Sequence, residues 1–324
     1  MTLEHDKFLR AAVVGTGYLG KFHAEKYQSL PACELRAIVD PVPGAGDDIA
    51  ARLGVEQVSD LDRVLEEIDV ASIAAPTSRH FELARRCLEK GVHVLVEKPI
   101  TVSTDEADEL IRLAAAHGLT LQVGHMQRFH PALLDMGPLI SKPMFIESHR
   151  LAPFNPRGTD VNVVLDLMIH DLDIVLNMVG SAIHRIAANG AQVISDSIDI
   201  ANARIDFDNG CTANITASRI SRKTERKMRV FQQNECLTAD LYSHSLERFV
   251  REDDGDPDGG ARIESHATHY ENNDALLAQI ESFLACVRTG QRPLVSGEDG
   301  RQALSAAVAI TGMIQENSER RMAP

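Results

Sequence analysis

Over the first third of the chain, short continuous apolar runs alternate with stretches of helical spacing. RAAVVG precedes YLGKFHAEKYQSL, ELRAIVD stands alone, DVASIAAP precedes SRHFELARRCLEKG, HVLVEKP precedes STDEADELIRLAAAHG, and LTLQVG closes the series. Runs without polar alternation are strands covered on both faces, so the repetition predicts a mostly parallel sheet with helices on either side. Helix ends carry their own signals. Ser103 and Glu106 have the spacing of a capping box, and Gly91 and Gly118 stand where helices stop.

From about residue 143 the runs lengthen and begin to alternate, as in MFIESHRL, HRIAANGAQVI and IANARIDFDNGCTANITASRI, with Asp208-Asn209-Gly210 as a hairpin turn. This half predicts an open, largely antiparallel sheet. The acidic, breaker-rich REDDGDPDGG at 251–260 predicts an exposed loop, and helical patterns follow at 273–289 and about 298–317. The last of these is free in principle to pack back on the first half.

One stretch sits oddly in this scheme. VLDLMIHDLDIVLNMVG, 164 to 180, is dense in Leu, Ile, Val and Met yet holds three aspartates and a histidine, and buried charge is costly unless paired. In a helix over 162–179, at about 100° per residue, Asp166, His170, Asp173 and Asn177 share an arc of roughly 60°. Asp171 is then a second polar exit from an otherwise apolar cylinder. So narrow a stripe suits a cavity better than bulk water. The alternative is a core histidine satisfied by a carboxylate. Such a helix would lie between the domains or against the second sheet.

Candidate chemistry begins at Gly15-Thr16-Gly17-Tyr18-Leu19-Gly20, directly after an apolar run and at the start of a helical pattern. In that setting the first glycine permits a tight turn, the second lets backbone approach a pyrophosphate, and the third lets helix pack on strand. The helix N-terminus supplies partial positive charge. Asp40 ends the next strand, where a carboxylate accepts hydrogen bonds from a ribose 2′-hydroxyl and repels a 2′-phosphate. NAD is therefore expected over NADP. The chain divides, on this reading, into a Rossmann domain at 1–125 and an α/β domain at 126–324 for substrate binding and oligomerisation.

Bulk properties narrow the partners. A formal net charge of −14 on 324 residues argues against nucleic acid or an anionic membrane as partner, while leaving room for a local basic pocket. The five cysteines lack metal or CxxC spacing, and no apolar run long enough for a leader or a membrane span precedes the first glycine. A cytoplasmic protein is expected.

GTGYLG, the strand-end AAPTSRH, VEKP at 96–99, VGHMQRFHP at 123–131, the D-x-x-x-H-x-x-D helix and CVRTGQRPLVSGEDG at 286–300 occur in that order. Together they resemble the Gfo/Idh/MocA oxidoreductases from residue 10 to nearly the C-terminus. The resemblance implies hydride transfer between NAD(P) and a sugar or cyclitol carbon, with Lys98, Asp166 and His170 as the catalytic group. It implies cofactor contacts at Gly15, Gly17, Tyr18, Leu19, Gly20, Asp40, Pro76, Thr77, His80, Glu97 and Lys98. His170 would take the carbinol proton, Asp166 would bond its other nitrogen or a sugar hydroxyl, and Lys98 would stabilise developing alkoxide charge. A zinc ion on the Asp/His/Asp set is the competing reading, but hydride chemistry already has its organic cofactor, so no metal is expected.

Thr159-Asp160-Val161-Asn162 and Met168 replace the glycines that many relatives carry around the catalytic Asp. FNPRGTDVNVVLDLMIHDLDI with NITASRISRKTERKMRVFQ most resembles the branch that oxidises the 3-hydroxyl of UDP-N-acetylglucosamine ahead of an aminotransferase. A nucleotide-sugar diphosphate suits guanidinium groups. Arg157, Arg219 and Arg128, with Asp173, are the candidate substrate residues. Lys223, Arg226, Lys227 and Arg229 read as a solvated basic turn and strand. Two alternatives remain: the same scaffold acting on a free sugar, cyclitol or other carbonyl compound, or an NAD-binding regulatory protein without turnover. An uncovered face of the second sheet would be closed by another subunit, making a homodimer or homotetramer.

Overall fold

The structure is a computed structural model describing residues 8–155, 161–252, 262–271 and 274–322. It comprises two compact units, Met1–Met126 with Asp274–Arg301, and Gln127–Asn273 with Gln302–Pro324.

Six parallel strands form the first unit's sheet: β1 (Leu9–Val14), β2 (Cys33–Val39), β3 (Glu56–Val58), β4 (Val70–Ile73), β5 (His93–Glu97) and β6 (Leu121–Gly124). Their order is β3-β2-β1-β4-β5-β6, so the winding reverses between β1 and β4. A crevice opens beyond the strand ends at such a reversal, and ligands of open α/β sheets bind there. Helices α1 (Tyr18–Ser29), α2 (Asp47–Leu53), α3 (Thr77–Glu89) and α4 (Thr104–His117) connect the strands. The α4 start is a complete capping box: Ser103 Oγ accepts from the Glu106 amide at 3.3 Å, and Glu106 accepts from the Ser103 amide at 3.4 Å. Leu9, Val13, Ala24, Tyr27 and Ile38 bury their side chains against Ile280, Phe283 and Leu284 of a later helix. The short α2 and β3 escape the hydrophobic pattern because neither is long enough for a period to show.

The second unit starts with α5 (Pro131–Met136) and β7 (Phe145–Leu151), and contains α6 (Ile169–Val179), β8 (Ile183–Ala191), β9 (Ile200–Phe207), β10 (Thr212–Ser218), β11 (Glu225–Gln232), β12 (Glu235–Asp240), β13 (Ser245–Glu252) and β14 (Arg262–His269). The last two helices are α7 (Ala275–Thr289), which carries the three residues packed in the first unit, and α8 (Gly297–Met322). Strand order is β14-β13-β12-β11-β7-β10-β9-β8, antiparallel except for the parallel pair β7 and β10. One face is the core: Ile146, Ala203, Ile215, Met228 and Leu237 pack with Val164, Met168, Leu172, Ile310 and Ile314. The turn at Asp208-Asn209-Gly210 joins β9 to β10, with Gly210 at φ +88 and its amide bonded to Phe207 O at 3.0 Å. That is a three-residue loop with a left-handed third position, where glycine costs nothing sterically. Of the run read as an exposed acidic loop, Arg251 and Glu252 belong to β13, and 253–260 lie outside the described residues.

The helix expected at 162–179 begins differently. Asn162 caps it, its Oδ1 accepting from the Val164 and Leu165 amides at 3.0 Å each, but Val164–Met168 form a π-turn before α6 takes over. Gly180, at φ +58, ends it.

His130 caps α5. Its Nδ1 accepts the Ala132 amide at 3.1 Å, so its proton is on Nε2, 3.0 Å from Nδ1 of His244. Burial first, and His244 second, push the imidazole down to about 4. An unfolded chain takes that proton near pH 6.5, so stability present at neutral pH is lost as pH falls from about 6.5 to about 4. Urea unfolding should show it: between pH 7 and pH 5 the wild type is expected to lose on the order of 2 kcal/mol more than His130→Asn, which keeps a capping oxygen and binds no proton. Equal losses would refute the assignment.

Candidate active site

In the first unit the glycines divide the work as their spacing predicts. Gly15, at φ +95, turns the chain so tightly that a Cβ there would lie 2.8 Å from the Ala74 carbonyl and the Ala75 nitrogen. At Gly20 a Cβ would come within 1.9 Å of Gly15 O, whereas at Gly17 it would meet nothing within 4 Å. Open space over the α1 N-terminus is what a pyrophosphate requires. Tyr18 and Leu19 follow as the first helical residues, with Tyr18 80% exposed.

Asp40 Oδ2 accepts from Thr16 N at 2.9 Å and Thr16 Oγ1 at 2.6 Å, and its Oδ1 accepts from Val42 N at 3.0 Å. Burial works against the charge, but the Thr16 hydroxyl and the Val42 and Thr16 amides outweigh it and hold the carboxyl below its usual range. A carboxylate accepts about four hydrogen bonds; three are used, leaving room on Oδ1 for a ribose hydroxyl. Gly15, Thr16, Gly17, Asp40 and Pro76 line one cavity of about 580 Å³. Arg79 and Arg86 line it too, and nothing in the sequence distinguishes them from other cations of a helical pattern. Both are ion-paired: Arg79 with Glu82 at 3.0 Å, Arg86 with Asp62 at 2.7 Å and Asp60 at 2.9 Å.

With Asp40→Ser, repulsion of a 2′-phosphate disappears while two guanidinium groups remain on the cavity wall. Preference in kcat/KM is expected to move about 100-fold toward NADP. An unchanged ratio would remove Asp40 from cofactor selection.

The remaining cofactor candidates divide. Thr77 opens α3, with Pro76 as its cap. His80 is buried, its Nδ1 2.8 Å from Pro99 O and its Nε2 2.8 Å from Ala75 O; the single N–H of a neutral imidazole donates to one of these carbonyls, and both ring nitrogens face the loops after β4 and β5. Glu97 is buried at the end of β5 against His23 of α1. Lys98 follows it, half-buried, joined to Pro99 by a cis peptide bond.

In the second unit Asp166 lies in the π-turn and His170 in the first turn of α6, both half-buried. Four α-helical residues overshoot a full turn by about 40°. A π-turn takes more residues per turn, which brings Asp166 back toward the line of His170. Asp171 is no exit to solvent, as the α-helical projection had it: it is 3% exposed and accepts from Arg150 Nε at 2.6 Å, Arg150 Nη2 at 3.1 Å and Ser148 Oγ at 3.0 Å. The strand residues that meet it could not be read from the helix's own periodicity.

The four substrate candidates are placed as follows. Asp173 and Arg128 are both buried and face each other, Oδ1 to Nη1, at 3.5 Å. Arg219 is buried, donating to the Val161 carbonyl and to Ile198 O, with its Nε 3.8 Å from Asp199 Oδ1; its guanidinium is engaged by the fold. Arg157 lies outside the described residues. Of the basic strand, Lys227 pairs with Asp240 at 3.2 Å and Arg229 with Glu147 at 3.4 Å. Arg226 shares the face of Met228 and Val230, opposite Arg150 in register.

A glycine-cradled helix N-terminus at the reversal of a six-stranded parallel sheet, with an ionised carboxylate at the next strand end, defines a dinucleotide-binding oxidoreductase scaffold. Residues 9–125 match the oxidoreductase family with the NAD-binding Rossmann fold, and 143–237 match the GFO/IDH/MocA C-terminal domain. The chain belongs to the GFO/IDH/MocA family and is an NAD-dependent oxidoreductase acting on CH-OH groups. It is 36% identical over 313 residues to the UDP-N-acetylglucosamine 3-dehydrogenase of Acidithiobacillus ferrooxidans, covering 96% of this chain and 99% of that one. The solved structure of that enzyme superposes with a TM-score of 0.89 at 35% identity, over 95% of this chain and 98% of the other. The scyllo-inositol 2-dehydrogenase (NAD(+)) of Bacillus subtilis is 28% identical over 345 residues, covering 95% of this chain and 94% of the relative. A scyllo-inositol dehydrogenase from Lactobacillus casei, solved with NAD(H) and scyllo-inositol, shares the fold with a TM-score of 0.80 at 23% identity, over 96% and 98% of the two chains. Among the described residues no helix is long and apolar enough to cross a membrane.

Proposed function

We propose that this oxidoreductase oxidises the 3-hydroxyl of UDP-N-acetylglucosamine to the 3-keto sugar. The observation that carries the reading is 36% identity, sustained over 96% of this chain, to an enzyme of that name. Bound NAD supplies the hydride acceptor. His170 accepts the carbinol proton at a ring nitrogen, Asp166 orients the imidazole or a neighbouring hydroxyl, and the Lys98 ammonium donates to the same oxygen as negative charge develops there. The product is a ketone, the class of compound an aminotransferase consumes. Five unpaired thiols suit a reducing cytoplasm.

A free cyclitol is the second reading, favoured by the inositol dehydrogenase at 28% identity. Thermal shift with NAD present separates the two. Millimolar UDP-N-acetylglucosamine is expected to raise the melting temperature by several degrees where inositols and free glucosamine do not; a shift with inositols alone would overturn the first reading.

Self-association belongs to this reading as well, through the outer face of the second unit's sheet. There Phe145, Phe231, Cys236 and Phe249 stand in register across four strands, Phe145 and Phe231 5.9 Å apart. Sedimentation of Phe231→Glu as a monomer, against a dimer or tetramer for the wild type, would support it; a monomeric wild type would refute it.

A further inference from the structure

Charge on the inner face of the second unit's sheet does not balance. Arg150 of β7 and Arg226 of β11 stand directly opposite each other in the antiparallel ladder, on the face that also carries Ile146, Met228 and Val230. Like charges so placed are destabilising. One carboxylate, Asp171 of α6, acts on both guanidinium groups, but Arg150 engages its two oxygens at 2.6 and 3.1 Å, and Ser148 Oγ donates to Oδ1 at 3.0 Å. Arg226 is left over.

Among the described residues Arg226 makes no hydrogen bond and no ion pair, whereas its strand neighbours Lys227 and Arg229 pair on the outer face with Asp240 and Glu147. It is exposed, while Arg150 is 4% exposed. Its charge is nonetheless crowded: burial first, and Arg150 second, pull its pKa below the ordinary arginine value, with Asp171 and then Tyr242 pulling the other way. An accessible guanidinium set against a second cation adds little to a fold and suits an anion.

Its position fits the reacting centre. Asp171, which Arg150 grips, directly follows His170, so Arg226 stands one strand beyond the pair that holds the helix of the imidazole. In a UDP-sugar the diphosphate is carried on C1 of the ring whose C3 reacts, so its receptor belongs on the same side of the molecule as that imidazole.

We propose that Arg226 is the receptor for the diphosphate of the substrate, held through the guanidinium fork. The idea rests on the substrate reading given above and refines it. Of the arginines expected to meet a diphosphate, Arg128 is buried facing Asp173, and Arg219 is buried donating to the Val161 and Ile198 carbonyls. A bound diphosphate supplies the negative charge that Asp171 alone does not.

Isothermal titration with NAD saturating, so that the glycine cradle of the first unit is filled, tests this with UDP and inorganic pyrophosphate as probes. Arg226→Gln is expected to bind UDP about 10- to 100-fold more weakly than wild type, the range for a hydrogen-bonded contact between charged groups. Arg226→Lys, which keeps the charge without the fork, should fall between, and Arg229→Gln, on the other face of β11, should bind as wild type does. In urea without ligand Arg226→Gln should be at least as stable as wild type, because a like charge opposite Arg150 is gone. Equal UDP affinity in wild type and Arg226→Gln would overturn the proposal, as would a loss of stability that marks the guanidinium as part of the fold. If the wild type bound pyrophosphate through Arg226 but neither UDP nor the UDP-sugar, the substrate reading would fall and the diphosphate receptor would stand; binding of no probe would overturn both.

Discussion

Lys98→Ala is expected to lower kcat/KM for sugar oxidation about 1000-fold and to change the dissociation constant for NAD less than about threefold. The first figure follows from removing one fixed donor to a developing oxyanion, worth about 10²–10³ in rate. At 1.36 kcal/mol per tenfold, that is roughly 4 kcal/mol of transition-state stabilisation. The second follows because Gly15, Thr16, Gly17 and Asp40, the residues expected to cradle the cofactor, line a cavity that Lys98 does not line. A variant that loses NAD affinity in proportion to rate would make Lys98 a cofactor ligand first.

The largest effect on stability is expected at Asp171. Its pair with Arg150 is 4% exposed on both sides and bidentate, with Ser148 satisfying the same carboxylate. Removing one partner leaves an uncompensated charge between α6 and the inner face of β7. Asp171→Ala should therefore cost about 3–5 kcal/mol in urea unfolding, and Arg150→Met a similar amount. The double replacement Arg150→Met/Asp171→Leu should recover most of the loss, because well-packed apolar groups often replace a buried ion pair at little cost. Rate should recover less. Asp171 adjoins His170, so the pair also sets the rotation of the helix that presents the imidazole. A double variant as unstable as either single would show that the surrounding packing, and not the unpaired charge, dominates.

These two positions also mark how far sequence patterning reaches. GTGYLG after a strand and Asp40 at the next strand end were legible because each role is local: a turn, an approach, a close packing, a charge. Continuous apolar runs for the buried parallel strands, the Ser103 and Glu106 box and the glycine of the 208–210 turn were legible for the same reason. Asp171 was not. An α-helical projection pointed it toward solvent, whereas its direction is decided by Arg150, a strand residue whose inward parity is known only once β7 is paired with β10 and β11. The π-turn at 164–168 is hidden because its apolar residues satisfy either helical period. Arg219 looked available for a diphosphate because a sequence shows charge and not burial; in the fold it bonds the Val161 and Ile198 carbonyls. His23 carries no signal of its own in the sequence, because only the fold sets it against Glu97.

Reaction at one carbinol by an ammonium from 98 and an imidazole from 170 makes a demand that single substitutions do not test: the two must act as a unit. Single-turnover hydride transfer at saturating NAD and sugar, measured for Lys98→Ala, His170→Ala and the double variant, is the direct measurement. The double variant is expected to be within about tenfold of the slower single, as for groups that serve the same transition state. Losses that multiply in full would contradict it, placing the lysine and the histidine in separate tasks.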